Sequence, residues 1–167
     1  MPTARLIATV FGLGHLRPAP GTWASAAAIA LGVAIDRFLG FPALVVATVA
    51  AIAAGFWACN AALTGRPGED PSEFVIDEVA GQWITLLFPA AAFWNRGMAD
   101  WATVAWPGWV AAFLFFRLFD IWKPGPVGRA DRRGDAAGVM LDDLWAGIFA
   151  GIAVIVAAGL WHGVIAR

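Results

Sequence analysis

Apolar residues run along this chain in long blocks broken by short clusters of charge. Uncharged stretches cover Pro18–Ile35, Phe38–Gly65, Val79–Asn95, Trp101–Phe116 and Leu144–Ala166. A helix needs about 20 residues to cross a hydrocarbon layer about 30 Å thick. The pattern therefore predicts an all-α, polytopic membrane bundle of about five transmembrane helices, one domain over residues 1–167. The expected spans are Trp23–Phe38, Pro42–Leu63, Val75–Phe93, Trp101–Trp122 and Leu141–Ile165. The first is short and rich in alanine. The third and fourth reach spanning length only by taking in Asp77 and Glu78, and Arg117 and Asp120, which draws charge into the membrane boundary. Arg5–Leu13 is too short to span and is expected at the interface. Pro107-Gly108 predicts a kink inside the fourth helix, since proline removes a backbone hydrogen bond. Ala24-Ser25-Ala26 resembles a signal cleavage site in form, but the spans that follow make a removable signal the poorer reading.

Composition agrees with the blocks. Of 167 residues, 60% are apolar and 14% charged, against roughly 45–50% and 25% in soluble domains, and the mean hydropathy is +0.73. A net charge of −1 argues against nucleic-acid binding, which needs a basic surface. The single cysteine, Cys59, excludes an intrachain disulfide and a cysteine-based zinc site. No tyrosine is present to serve as nucleophile or base. With five spans, Arg5, Arg17, Arg66, Arg117, Lys123, Arg129, Arg132 and Arg133 fall on one side, and only Arg37, Arg96 and Arg167 on the other. The excess of positive charge places the N-terminus in the cytoplasm and the C-terminus outside.

The acids are equally lopsided, with only Asp36 and Asp100 on the far side. The positive-inside bias concerns Lys and Arg, so it does not explain this clustering. Three pieces meet at one face: Asp77-Glu78, Arg117-x-x-Asp120-x-x-Lys123, and Asp142-Asp143. One acid pair at a helix start is accounted for by capping and the helix dipole. Side-by-side carboxylates cap no better than one, however, and they suit a divalent cation that takes several oxygen ligands. Gly147 and Gly151 follow Asp143 at i+4 and i+8, a small-residue stripe that turns Asp143 into the bundle. Gly81 and Thr85 do the same for Asp77. Arg117 pairs with Asp120 at i+3 or binds phosphate, two readings of equal weight. The segment Gly14–Thr22 is a rigid turn with Thr22 as helix cap, or an anion cradle at a helix N-terminus. Gly12-x-Gly14 lacks the third glycine of a dinucleotide fingerprint.

Several chemistries drop out. Cys59 has no arginine six positions on and lies in an apolar helix that disfavours a thiolate. His15 and His162 are expected on opposite faces, so no histidine pair forms. Ser25 and Ser72 have no histidine placed near them. Carboxylates, a few basic residues and a bound divalent ion remain, which points to metal-assisted phosphoryl chemistry at a membrane surface. A small ion transporter would need polar groups at the midplane, and a phospholipid-alcohol transferase would need D-G-x-x-A-R-type spacing; the chain has neither.

The segments Pro20-Gly21-Thr22, Val75–Trp83, Phe116–Pro124 and Met140–Gly147, in this order and spacing, resemble the phosphatidylglycerophosphatase A family. The resemblance covers about Phe11 to Gly151. It implies a Mg²⁺-dependent enzyme of the bacterial inner membrane, with its active site on the cytoplasmic face. Such an enzyme cleaves the terminal phosphate from phosphatidylglycerophosphate, leaving phosphatidylglycerol. By matching position it implies Asp77, Glu78, Asp142 and Asp143 as catalytic residues and Mg²⁺ ligands. Asp120 is a fifth ligand or orients Arg117; Arg117, Lys123 and Thr22 hold the phosphate, and Asp131 is a further family acid. Glu78 as general base and a phospho-aspartyl intermediate at Asp77 or Asp142 are rival routes. The glycine-rich run expected before Asp142 is reduced to Ala136-Ala137-Gly138. Phosphatidate and polyprenyl phosphates remain as alternative lipid substrates.

Overall fold

The computed structural model describes residues 2–66, 68–98 and 105–165. Seven α-helices are seen among them: α1 (Pro2–Ala8), α2 (Pro20–Leu39), α3 (Phe41–Ala62), α4 (Ile76–Trp94), α5 (Trp106–Trp122), α6 (Pro126–Asp131) and α7 (Ala136–Leu160). A 3-10 turn, Leu13–His15, precedes α2, and a π-type turn, Trp161–Ile165, follows α7. Asp100, Arg167 and residues 101–104, which open the expected fourth span, lie outside the described residues.

Proline and glycine punctuate the helices. Pro20 starts α2, where a missing N–H costs nothing. Gly40, at φ 86°, turns the chain from α2 into α3, a backbone state that a Cβ opposes. Pro107 stands at the second position of α5, so among the described residues it begins that helix and does not kink it. The proline found inside a helix is Pro89 of α4. α7 begins five residues before its expected start, because Asp135 caps it by accepting from the Gly138 amide at 2.7 Å. Asp142 and Asp143 consequently lie in the second turn, where capping does not account for them.

α4 is the central helix, packed on α2, α3, α5 and most extensively on α7. Small residues set that closest approach. A Cβ on Gly81 would run into the Asp143 carbonyl, one on Gly147 into the Gly81 carbonyl, and one on Gly151 into Phe88. Thr85 Oγ1 lies 3.1 Å from the carbonyl oxygens of both Gly81 and Gly147 and donates across this crossing. On the other side Trp83 Nε1 donates to the Ala28 carbonyl of α2 at 2.8 Å, a bond worth about 1 kcal/mol net. Gly32 of α2 gives Trp83 and Leu86 their room. The N-terminal segment folds back over the bundle end: α1 packs on α3, Val75 donates to the Ala8 carbonyl at 2.9 Å, and Arg5 pairs with Glu73 at 2.8 Å.

Among the described residues, α2, α3 and α7 are long and apolar enough to cross a membrane, fewer than the five spans read from the sequence. α4 has 19 residues but spends its first turns on Asp77, Glu78 and Gln82, and the described stretch of α5 has 17 residues and carries Arg117 and Asp120. Leu31, Phe38, Val46, Val49, Leu114, Leu118, Ile152 and Val156 are exposed. An apolar exterior of this extent fits lipid and not water.

Candidate active site

Four helices bring their charged ends to one end of the bundle. Asp77 and Glu78 stand in the first turn of α4, Asp142 and Asp143 in α7, Arg117 and Asp120 in the last turns of α5. Lys123 closes α5 in a left-handed conformation, φ 51°, before Pro124, and Asp131 ends α6. The α4–α7 glycine crossing holds the two acid pairs against each other, as their i+4 spacing to Gly81 and Gly147 led one to expect.

The acids divide into two groups. One oxygen each from Asp77, Glu78 and Asp143 lie within 4.8 Å of one another. Asp77 and Asp143 are 8% and 3% exposed, and Glu78 Oε2 is buried with no hydrogen-bond partner among the described residues. Asp142 instead turns to Lys123, whose Nζ lies 2.8 Å from Oδ2 and also pairs with Asp131. Burial works against the charge on Lys123, but the hydrogen bonds and charges of Asp131 and Asp142 outweigh it and push its pKa up. Asp120 pairs with Arg117 and lies beside Asp143.

The start of α2 completes the site. The Gly21 backbone lies against the Glu78 carboxylate, and a side chain at this position would also stand 3.3 Å from Arg117 Nη1. Ser25, one turn on, donates to the Gly21 carbonyl at 2.8 Å and receives Arg117 Nη1 at 3.5 Å. Thr22 is exposed beside Gly21 and is not the cap of α2; Ala19 occupies that position without a side-chain bond. Ser25, which has no histidine to make it a nucleophile, holds Arg117. Gly21 and Ser25 are i and i+4 on α2, and that spacing is the signal that could have found the pair. Cys59 is fully buried in α3, and His162 lies beyond the far end of α7.

Asp77, Glu78 and Asp143 form a set of hard oxygen donors. Buried carboxylates this close repel and are costly unless a cation answers them. The nearby bases do not meet the demand: Lys123 is engaged by Asp131 and Asp142, and Arg117 by Asp120. The unpartnered Glu78 oxygen and the all-oxygen chemistry fit a divalent ion such as Mg²⁺. The crevice beside Lys123 is lined by Glu69, Asp70, Asp131, Asp135 and Asp142, a surface that repels phosphate. The anion-compatible side is therefore the α2 start, where Arg117 and the helix N-terminus meet.

The family profile of phosphatidylglycerophosphatase A matches residues 6–158. A Bacteroides thetaiotaomicron protein provisionally named a phosphatidylinositol-3-phosphatase is 39% identical over 156 residues, 91% of each chain. Phosphatidylglycerophosphatase A of Haemophilus influenzae is 33% identical over 93% of this chain and 88% of its own. The Escherichia coli K12 protein of the same name is 32% identical over 86% and 76%. No solved structure matches. With its acid pairs, Arg117 and Lys123 assembled at one end of an apolar helical bundle, the chain belongs to the phosphatidylglycerophosphatase A family and is a phosphoric monoester hydrolase.

Proposed function

We propose that the protein hydrolyses the terminal phosphate of phosphatidylglycerophosphate, using Mg²⁺, at the cytoplasmic face of a bacterial inner membrane that it crosses five times. The observation that carries this reading is the convergence of one oxygen each from Asp77, Glu78 and Asp143, together with a buried Glu78 oxygen that has no partner among the described residues. These three residues would hold the ion. When bound, Mg²⁺ supplies neutralisation of phosphoryl charge and Lewis acidity. Arg117 receives the phosphate in a fork of N–H donors, aimed by Asp120 on one side and Ser25 on the other. Asp142 and Asp131 hold Lys123 at the rim, where it answers their charge and ties the ends of α5, α6 and α7 together. On this assignment Asp142 and Asp120 position basic side chains and leave coordination to the triad. The Pro20-Gly21-Thr22 turn brings backbone N–H groups and the positive end of α2 to the same phosphate.

The decisive experiment is phosphate release from phosphatidylglycerophosphate by the pure protein in detergent, with Mg²⁺ and with chelator. Asp77→Asn and Asp143→Asn should each lower turnover by at least about a hundredfold, since loss of even an outer-shell partner costs a metal site 10–100-fold. Near-normal turnover in either variant sinks the ligand assignment. A second reading takes phosphatidylinositol 3-phosphate as substrate, favoured by the Bacteroides relative. The two lipids share one feature that phosphatidate lacks, a free hydroxyl on the carbon next to the phosphate ester. Competition between the two lipids at equal concentration separates the readings.

A further inference from the structure

Gln82 lies one turn inside the site. Its side chain is 0% exposed, Nε2 donates to the Ala112 carbonyl of α5 at 3.3 Å, and Oε1 is buried with no hydrogen-bond partner among the described residues. The Ala112 carbonyl only accepts, so it fixes the amide: the reverse orientation would set two acceptors face to face. A neutral buried carbonyl left this way calls for an O–H or N–H donor. Gln82 follows Glu78 by four residues, so it shares that face of α4 and stands about 6 Å further along the axis.

Direction along α4 gives the donor its chemistry. A lipid anchored by its acyl chains presents its monoester phosphate outermost, and the headgroup carbon and hydroxyl come next toward the membrane. With the phosphate level with Glu78 and Arg117, the hydroxyl meets the wall about one turn deeper, at Gln82. We propose that Gln82 is a specificity-determining residue whose Oε1 accepts the hydrogen bond of the free headgroup hydroxyl next to the phosphate ester. This rests on the lipid-phosphatase reading above. The Gly21 backbone lies over Glu78 on the α2 side, so the headgroup has to pass it to reach this wall. Selection of this kind is steep, since an analogue without the hydroxyl leaves a buried acceptor unanswered.

The test uses the full-length protein in detergent and three substrates: phosphatidylglycerophosphate, the same lipid with its headgroup hydroxyl replaced by hydrogen, and phosphatidate. The wild-type protein should favour the hydroxylated lipid over the deoxy analogue by at least about tenfold in kcat/KM. In Gln82→Met, which keeps the length and removes the acceptor, that ratio should fall to near one. A wild-type ratio near one overturns the proposal, and this comparison needs no variant to fold. It is equally overturned if Gln82→Met slows both substrates together and keeps the ratio, the mark of a packing role or of a structural water. A wild-type protein that releases phosphate from none of the three overturns the underlying reading and the proposal with it.

Discussion

At Gly21 the α2 backbone touches the Glu78 carboxylate, and a Cβ built there would press on that group and stand 3.3 Å from Arg117 Nη1. Both obstacles are the free ends of long side chains, which can swing aside without moving a helix. Gly21→Ala should therefore fold with a melting temperature close to wild type yet lose at least about tenfold in turnover, because the displaced groups are the ones aimed at ion and phosphate. A thermal melt run beside a phosphate-release assay checks this, and an unchanged rate would remove the α2 turn from the site. The acids were readable from the sequence because each arrives as a charged pair at the end of an apolar block. Ser25 and Gln82 were not: neither is charged, and their partners lie on other helices, Arg117 92 residues beyond Ser25 and Ala112 30 residues beyond Gln82.

Among the elements, the bounds of helices α3 and α4 fall within a residue of the segments read from hydropathy, since both are bounded by glycine, proline or acids. α7 does not. The alanines and glycine of residues 136–138 resemble a loop when read alone, and the deciding bond is Asp135 to the Gly138 amide. The Arg133 hydrogen bond, followed by the Gly138 amide, holds the Asp135 carboxyl below its ordinary value of 3.8. A depressed folded-state value stabilises the cap at pH above 3.8, and that contribution is lost as the pH falls through the folded-state value. Asp135→Ala should speed amide exchange at Gly138 at neutral pH and leave the middle of α7 unaltered. Wild type should show the same local loss only in acid, below about pH 4. Exchange that is unaffected by the substitution would mean that packing, and not the cap, sets the start of α7. Pro107 teaches the same lesson in reverse: hydropathy carried the reading through a proline that, in the described residues, sits at a helix start.

On the scale of the whole molecule, the concentration of charge at one end and of apolar surface along the sides defines an axis along the bundle. Hydropathy showed the solvent but found more spans than there are membrane-long helices among the described residues, because α4 and the described stretch of α5 trade apolar length for charged and polar groups. The five-span orientation remains a proposal with a direct check. Thr3, Asn95 and His162 are exposed, and the native Cys59 is 0% exposed, so single cysteines introduced at these three positions report without background. A membrane-impermeant maleimide should label Asn95→Cys and His162→Cys in intact cells and Thr3→Cys only in inside-out vesicles. Labelling of Asn95→Cys and Thr3→Cys from the same side would show that α4 does not complete the third of the five crossings.

Gly81 and Gly147 let the main chains of α4 and α7 touch one turn from Asp77 and Asp143. The gap between the carboxylates on the two helices is therefore set by backbone against backbone, with no soft side chain between them to give. Held on such a frame, the two helices cannot close further on whatever lies between the carboxylates. If the proposed ion binds there, the fit to its radius has to come from carboxylate side chains reaching inward, to about 2.1 Å for magnesium and about 2.3–2.6 Å for calcium. On that site the glycines would set the smallest ion on which the two helices can close.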